Sequence, residues 1–300
     1  MGRIAFVFSG QGDQYPGMGK DLYEQYEAAK NVFQTCEEIR PGTMAQCFQG
    51  TEEELKETKN TQPCLFAMEL AAEAVLLEKG IRPEMAAGFS LGEVSAATAA
   101  GIFDCQTGFR LVIRRGELMQ QAAEQHETFM AAVVKLPTDK VKEICSQFQG
   151  IYPVNFNCPG QVTVSGLSER QQEFSQCVKE AGGRAIVLKV KGAFHSPFMK
   201  EASEAFADEL KKAAIQKGEI TLYSNMTAMP YTEDVAGLLS KQICSPVEWE
   251  TIVRNMIAEG IDTFIEIGPG KTLSNMIKKI DDSVKVYAVA QMETLLADLA

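Results

Sequence analysis

The stretch Met85-Ala86-Ala87-Gly88-Phe89-Ser90-Leu91-Gly92-Glu93 is an apolar run that ends in G-x-S-x-G and passes straight into the Ala-rich residues 94–100. Strand, sharp turn and helix in that order form a nucleophile elbow. The strand delivers Ser90 to a strained corner, glycines on both sides let the backbone turn without a clashing Cβ, and the helix aims its N-terminus at the serine. The string alone also fits an ordinary glycine-rich turn. The catalytic reading therefore depends on partners supplied elsewhere in the chain.

The surrounding pattern supplies an α/β setting. Residues 4–8 read as a buried strand, and Ser9-Gly10-Gln11-Gly12-Asp13-Gln14 after it is a loop whose glycines let bare N–H groups approach a ligand. Two phosphate-loop readings fail on spacing. A dinucleotide fingerprint needs glycine where Tyr15 stands, and Gly12 to Gly17 is followed by Met18 rather than Lys-Ser/Thr. Asn60-Thr61-Gln62-Pro63 reads as the cap of a helix running to Lys79, with Gly80 as its stop. Residues 109–123 read as a helix carrying Arg114 and Arg115. Strand and helix alternate through this region, as in a parallel sheet.

From residue 129 the texture becomes a compact alternation. Strands are expected at 129–134, 152–157, 161–165 and 184–190, with helices before and after the central pair, which is the β-α-β-β-α-β order of a ferredoxin-like unit. The loop 191–197 then returns to a helix at 198–214, a strand at 221–225, a helix-rich stretch at 235–259 and a strand at 263–267. Gly268-Pro269-Gly270-Lys271 turns into what reads as a final amphipathic helix. The division expected is a large domain from 1–126 and 192–300, with 127–191 as a smaller inserted domain.

Composition narrows the function class. Three hundred residues at 45% hydrophobic content bury a large core, and a net charge of −11 leaves no basic surplus for non-specific nucleic-acid binding. No apolar run approaches bilayer length, and the N-terminus enters a strand at once, so a cytoplasmic protein without membrane attachment is expected. The eight cysteines form no C-x-x-C pair and read as small core hydrophobes rather than a zinc site or disulfide framework.

A serine hydroxyl needs a base within hydrogen-bond reach, most often histidine. The chain has two. His126, in Gln125-His126-Glu127, sits at a polar helix end and reads as a surface residue. His195, in a glycine-led loop between strand and helix, is the candidate base, the alternative being a cap for the helix at Pro197. A substrate carboxylate would call for a guanidinium near the serine, and Arg114 and Arg115 are the candidates. Either could instead pair with Glu117 at the surface.

Gly10-Gln11-Gly12, Gly88-Phe89-Ser90-Leu91-Gly92-Glu93, Arg115-Gly116, Gly192-Ala193-Phe194-His195-Ser196-Pro197 and Gly268-Pro269-Gly270 occur in this order, and with them the chain resembles the malonyl-coenzyme A:acyl carrier protein transacylases over nearly its whole length. The resemblance implies a hydrolase-like large domain with a parallel sheet core and a ferredoxin-like insertion. It implies a ping-pong acyl transfer from malonyl-coenzyme A to the phosphopantetheine thiol of an acyl carrier protein through malonyl-Ser90, with His195 as base and no metal or redox cofactor. It places the oxyanion hole at the backbone N–H groups of Gln11 and Leu91, and the malonate carboxylate on Arg115. It gives orientation of His195 to the backbone carbonyl in Lys241-Gln242-Ile243, so that Gln242 takes the place of a triad carboxylate, and it puts Asn157 at the mouth. Phe194, bulky beside the base, goes with malonyl rather than methylmalonyl selection. One departure is Phe89, where the family usually has histidine. Two other readings compete: an acyl hydrolase acting on carrier-bound acyl groups, and a non-catalytic carrier-binding module damaged by Phe89. An acidic carrier docking on this acidic chain would need a local basic surface, such as Lys271, Lys278 and Lys279, or Arg184, Lys189 and Lys191.

Overall fold

The computed structural model describes residues 2–190 and 192–299. Strands β1 (Ile4–Phe8), β2 (Met85–Gly88), β7 (Thr221–Tyr223), β8 (Thr263–Ile267) and β9 (Lys285–Ala288) form a sheet in the order β7-β2-β1-β8-β9, parallel at every pairing. All five residues of β1 are buried because helices cover both faces, which removes the usual alternation. Alternate side chains still go to different cores. Phe6, Phe8, Ala86 and Ile265 join one cluster, and Ala5, Val7, Ala87 and Phe264 join the other.

A second sheet of β3 (Thr128–Val134), β4 (Ile151–Cys158), β5 (Gln161–Leu167) and β6 (Arg184–Val187) runs in the order β4-β5-β3-β6 and is antiparallel throughout. The helices Thr138–Ser146 and Gln171–Glu180 pack on it through Val141, Ile144, Phe174 and Val178. The β-α-β-β-α-β order with this pairing is ferredoxin-like. Among the described residues no helix is long and apolar enough to cross a membrane. The eight cysteines are free thiols, and Cys36, Cys47, Cys64, Cys145 and Cys158 lie buried.

Several element ends differ from the expectation for physical reasons. The helix expected to start at the Asn60 cap runs over Thr58–Glu78 with Pro63 inside it. Its first turn is held from a distance, the Thr58 N–H donating to Gln120 Oε1 at 3.0 Å, which no local pattern reveals. β6 stops at Val187 instead of Val190: Leu188 N–H still donates to Met130 O, and the chain then leaves the edge to line a cleft. β7 stops at Tyr223 because Ser224 and Asn225 turn to other partners, Asn225 N–H donating to Glu93 Oε1 at 2.8 Å. The helix expected over 198–214 is the 3₁₀ turn Pro197–Met199 followed by the α-helix Lys200–Leu210. Thr272–Ile280 is not the last element, since β9 and the helix Met292–Leu299 follow it.

Candidate active site

β2 ends at the elbow, where Ser90 has φ +55°. The glycines on either side are sterically required: a Cβ on Gly88 would strike the Gly92 carbonyl, and one on Gly92 would strike the Phe8 carbonyl. A non-glycine residue in this region stores strain, which its surroundings must hold. Here side chains do so. The Ser90 N–H donates to Asn225 Oδ1 at 2.7 Å, Asn225 Nδ2 donates back to Gly88 O at 2.5 Å, and Gln242 Nε2 donates to Ser90 O at 2.6 Å. The helix Gly92–Ala99 starts directly behind the serine.

His195 comes from the loop after β6, with φ +61° and its N–H on Ile243 O at 3.1 Å. Its Nε2 lies 2.7 Å from Ser90 Oγ, and its Nδ1 lies 3.0 Å from Gln242 O. A backbone carbonyl can only accept, so Nδ1 carries the proton and Nε2 is left to receive the one on Ser90 Oγ. Burial, and then the charge of Arg115, bring the imidazole pKa down to about 4, so it is neutral at physiological pH and able to accept a proton. The helix-cap alternative falls to Ser196, whose Oγ accepts from Phe198 N–H at 3.3 Å. His126 is exposed beside Phe198, as expected of a surface histidine.

Arg115 is the inward arginine. Its side chain is 1% exposed, with Nη1 on Gln62 Oε1 at 2.9 Å and Nη2 on Gln242 Oε1 at 2.8 Å. Nη2 also lies 3.4 Å from Ser90 Oγ. Among the described residues it makes no ion pair; burial brings its pKa down to about 10 against the opposing influence of Glu93, and it stays cationic at neutral pH. Arg114 is exposed and pairs with Glu117 and Glu209.

The cleft over Ser90 has an inner part lined by Gln11, Gln62, Leu91, Met130, Phe194 and His195. An outer part is lined by Gly10, Gly12, Asn157, Thr163, Thr272 and Met276, and Gln11, Phe89, Asn155 and Leu188 border both. Arg115 and Gln242 are buried behind Ser90, each with a nitrogen within hydrogen-bond distance of it. The backbone N–H groups of Gln11 and Leu91 have no protein acceptor among the described residues. Asn157 lies in the outer part, its Nδ2 on Thr163 Oγ1 at 3.1 Å. Phe89 sits edge-on to Trp249, ring centroids 5.6 Å apart, which gives the ring an apolar seat beside the elbow.

The cationic clusters lie around this opening unevenly. Lys271 is exposed next to Thr272 of the outer cleft, and Lys279 is exposed; Lys278 is also exposed, but its Nζ is held by Val284 O at 2.6 Å. Arg184 and Lys189 are exposed on and beyond β6, and Lys191 lies outside the described residues.

Four site residues had no visible role in the sequence. Gln62, read there as part of a cap, holds Arg115; Asn225, Glu93 and Tyr231 form the support behind the elbow, Tyr231 OH donating to Glu93 Oε1 at 2.7 Å. The available signals were weak: a glutamine inside an apolar helix, and a glutamate directly after the elbow glycine.

Residues 5–296 match the acyl transferase domain family. A malonyl CoA-acyl carrier protein transacylase of Bacillus subtilis is 40% identical, with 98% of this chain and 96% of that protein covered. The crystal structure of a malonyl CoA-acyl carrier protein transacylase from Clostridium perfringens superposes with a TM-score of 0.95 at 36% identity, covering 99% of this chain and 97% of that one. A malonyl-transacylase solved in complex with its type II polyketide acyl-carrier protein superposes with a TM-score of 0.94 at 32% identity, covering 99% of both chains. Likeness of this extent takes in both sheets and the cleft between them, and the chain belongs to the malonyl CoA-acyl carrier protein transacylase family of acyltransferases.

Proposed function

We propose that this chain moves a malonyl group from malonyl-coenzyme A to the phosphopantetheine thiol of an acyl carrier protein, through an ester on Ser90, in cytoplasmic fatty acid or polyketide synthesis. The observation that carries the reading is Arg115. A buried guanidinium whose hydrogen-bond partners are neutral amides and a hydroxyl makes no ion pair, Glu93 acting on it only from beyond hydrogen-bond reach, and a malonyl carboxylate can supply that partner next to the nucleophile.

In the first half-reaction the Ser90 hydroxyl gives its proton to His195 Nε2 as Oγ attacks the thioester carbonyl. The N–H groups of Gln11 and Leu91 take the oxyanion. Collapse expels the coenzyme A thiolate, which leaves with the proton from His195. In the second half the carrier thiol gives its proton to His195 and attacks the ester; collapse returns the proton to Ser90 Oγ. The Gln242 carbonyl keeps the imidazole in the tautomer both halves need. The large domain, 1–126 and 192–300, supplies nucleophile and base. The small domain, 127–191, supplies Met130, Asn155, Asn157 and Leu188 as the opposite wall along which the pantetheine arm enters.

A hydrolase for neutral acyl chains would have no use for a buried guanidinium, and the intact Ser90–His195 contact disfavours a non-catalytic module. Intact mass after incubation with malonyl-coenzyme A decides among the three. One malonyl group per chain, discharged by carrier thiol and slowly by water, is the expected result. Rapid discharge by water alone identifies a hydrolase, and no adduct identifies a binding module.

Acyl choice follows from Phe194, which is buried but lines the inner cleft. With the carboxylate on Arg115 and the carbonyl at Gln11 and Leu91, the α-carbon has little freedom, and an added methyl meets the ring. One methyl is worth about 1 to 3 kcal/mol, so malonyl should be preferred over methylmalonyl by roughly 10- to 200-fold. Phe194→Ser should narrow that ratio while malonyl transfer persists. Competition kinetics with the melting temperature alongside check this: a fall in both activities with stability would make Phe194 a core residue only.

A further inference from the structure

Glu69 is fully buried in the helix Thr58–Glu78 and takes no part in the proton transfers. Its two oxygens are used by two different segments. Ser9 Oγ lies within hydrogen-bond distance of Oε1 at 2.6 Å, and Ser95 Oγ of Oε2 at 2.6 Å. Ser9 stands at the base of the loop that carries Gln11, where its own N–H is fixed to Ile267 O at 3.0 Å. Ser95 lies one turn into the helix Gly92–Ala99, whose preceding residue is Leu91. Both serines are themselves buried.

We infer that Glu69 is a positioning residue of the acyl transfer: its carboxyl group bridges Ser9 and Ser95 and so sets the spacing of the Gln11 and Leu91 N–H donors. The inference rests on the oxyanion assignment in the proposed function. The remaining contacts of the loop agree with a segment anchored throughout. Asp13 Oδ1 accepts from Thr272 Oγ1 at 2.8 Å, and Gln11 Oε1 accepts from Thr58 Oγ1 at 3.2 Å. Gly268 and Gly270 leave the room these anchors occupy, because a Cβ on either would strike Ser9 Oγ or Asp13 Oδ2. Among the described residues, the Glu69 bridge is the side-chain hydrogen-bond link between this loop and the helix behind the second donor, added to the backbone packing of Gly92 against the Phe8 and Ser9 carbonyls.

Burial, with Glu266 nearby, raises the Glu69 pKa to about 8, opposed by the two serine hydroxyls, so the group is mainly the neutral acid at pH 7. A neutral carboxylic acid is both donor and acceptor, and glutamine matches it in shape and in hydrogen-bonding capacity. Each serine hydroxyl can serve either role, so the bridge does not depend on a buried charge.

The test compares Glu69→Leu, Glu69→Gln, Ser9→Ala, Ser95→Ala and the double alanine variant, each assayed well below its melting temperature. Two rates are measured: malonyl transfer, and labelling of Ser90 by a neutral fluorophosphonate, whose phosphoryl oxygen also gains negative charge at the donors. Complete loss of one oxyanion donor costs about 100- to 1,000-fold in kcat, and a misplaced donor less, so Glu69→Leu should lower kcat and labelling by about tenfold. KM for malonyl-coenzyme A should stay within about twofold, because loosened donors act on the transition state rather than on the bound ground state. Glu69→Gln should return both rates to within about twofold of the parent. The double alanine variant should be little slower than either single one, since one bridge is broken in each case. Should Glu69→Leu fail to fold, Ser9→Ala deletes a single hydroxyl and decides the matter. Labelling and kcat unchanged in Ser9→Ala, a glutamine variant as slow as leucine, or a rise in KM equal to the fall in kcat overturns the inference. A parent protein that is labelled but takes no malonyl group refutes the malonyl reading instead, and the bridge is then judged on the labelling rates.

Discussion

Ser90→Ala removes malonyl loading from malonyl-coenzyme A, with a loss on the order of a million-fold by analogy with other serine nucleophiles. The size follows from how the dyad works. Once Oγ is absent, His195 Nε2, now 2.7 Å from that oxygen, has no proton to receive, so the base contributes nothing on its own. The elbow itself should survive, because Ser90 is held through its backbone N–H and C=O by Asn225 and Gln242 rather than through its hydroxyl. The expected signature is therefore an unchanged melting temperature, no adduct by intact mass and no labelled Ser90 peptide. Loading that survives the substitution would mean another nucleophile carries the acyl group, and the ping-pong scheme would fall with it.

What could be read from the chain alone divides along a physical line. The strands at 4–8 and 263–267, the elbow and the β-α-β-β-α-β order all rest on local period and on glycine placement, which neighbouring residues determine. Ser90 and His195 were reachable for the same reason: one has an unusual turn around it, and the other is one of only two histidines. Arg114 against Arg115 was left open because a hydrophobic period expects apolar side chains inside: the helix Cys105–Ala123 buries Phe109, Val112, Met119 and Ala122 on one face, and the charged Arg115 lies among them, while Arg114, about 100° away, falls on the exposed side. Gln62 and Asn225 were out of reach altogether. Their roles exist only where segments 28 and 135 residues from Ser90 come together, shares of the site that no local signal encodes. β9 went unread because it is short and lies at the sheet edge with only its last residue fully buried. Phe89 shows the converse. The residue was plain in the sequence as a departure, and its accommodation on Trp249 needed the fold.

Arg115→Ala depresses malonyl transfer by roughly 2 to 5 kcal/mol in kcat/KM, the usual cost of removing one partner of a desolvated charge pair, while acetyl transfer falls much less or rises. The discrimination between donors is the point, since an acetyl group has no carboxylate to lose. Truncation also leaves Gln62 Oε1 and Gln242 Oε1 without the guanidinium they accept from, so some stability goes with it, and the Gln242 end matters because that residue also holds Ser90 O. Any slackening there falls on both donors alike and cancels in their ratio. Removing the cation also lifts the repulsion that lowers the His195 pKa, a change whose sign is toward a stronger base. That gain is available to acetyl transfer, which is why its rate can rise, whereas for malonyl it is offset by the missing ion pair. Competition between malonyl- and acetyl-coenzyme A on the folded variant reads the ratio directly. Equal losses for the two donors would reduce Arg115 to a structural tie between Gln62 and Gln242, and the carboxylate would have to be held by some cation other than Arg114, which is already engaged at the surface with Glu117 and Glu209.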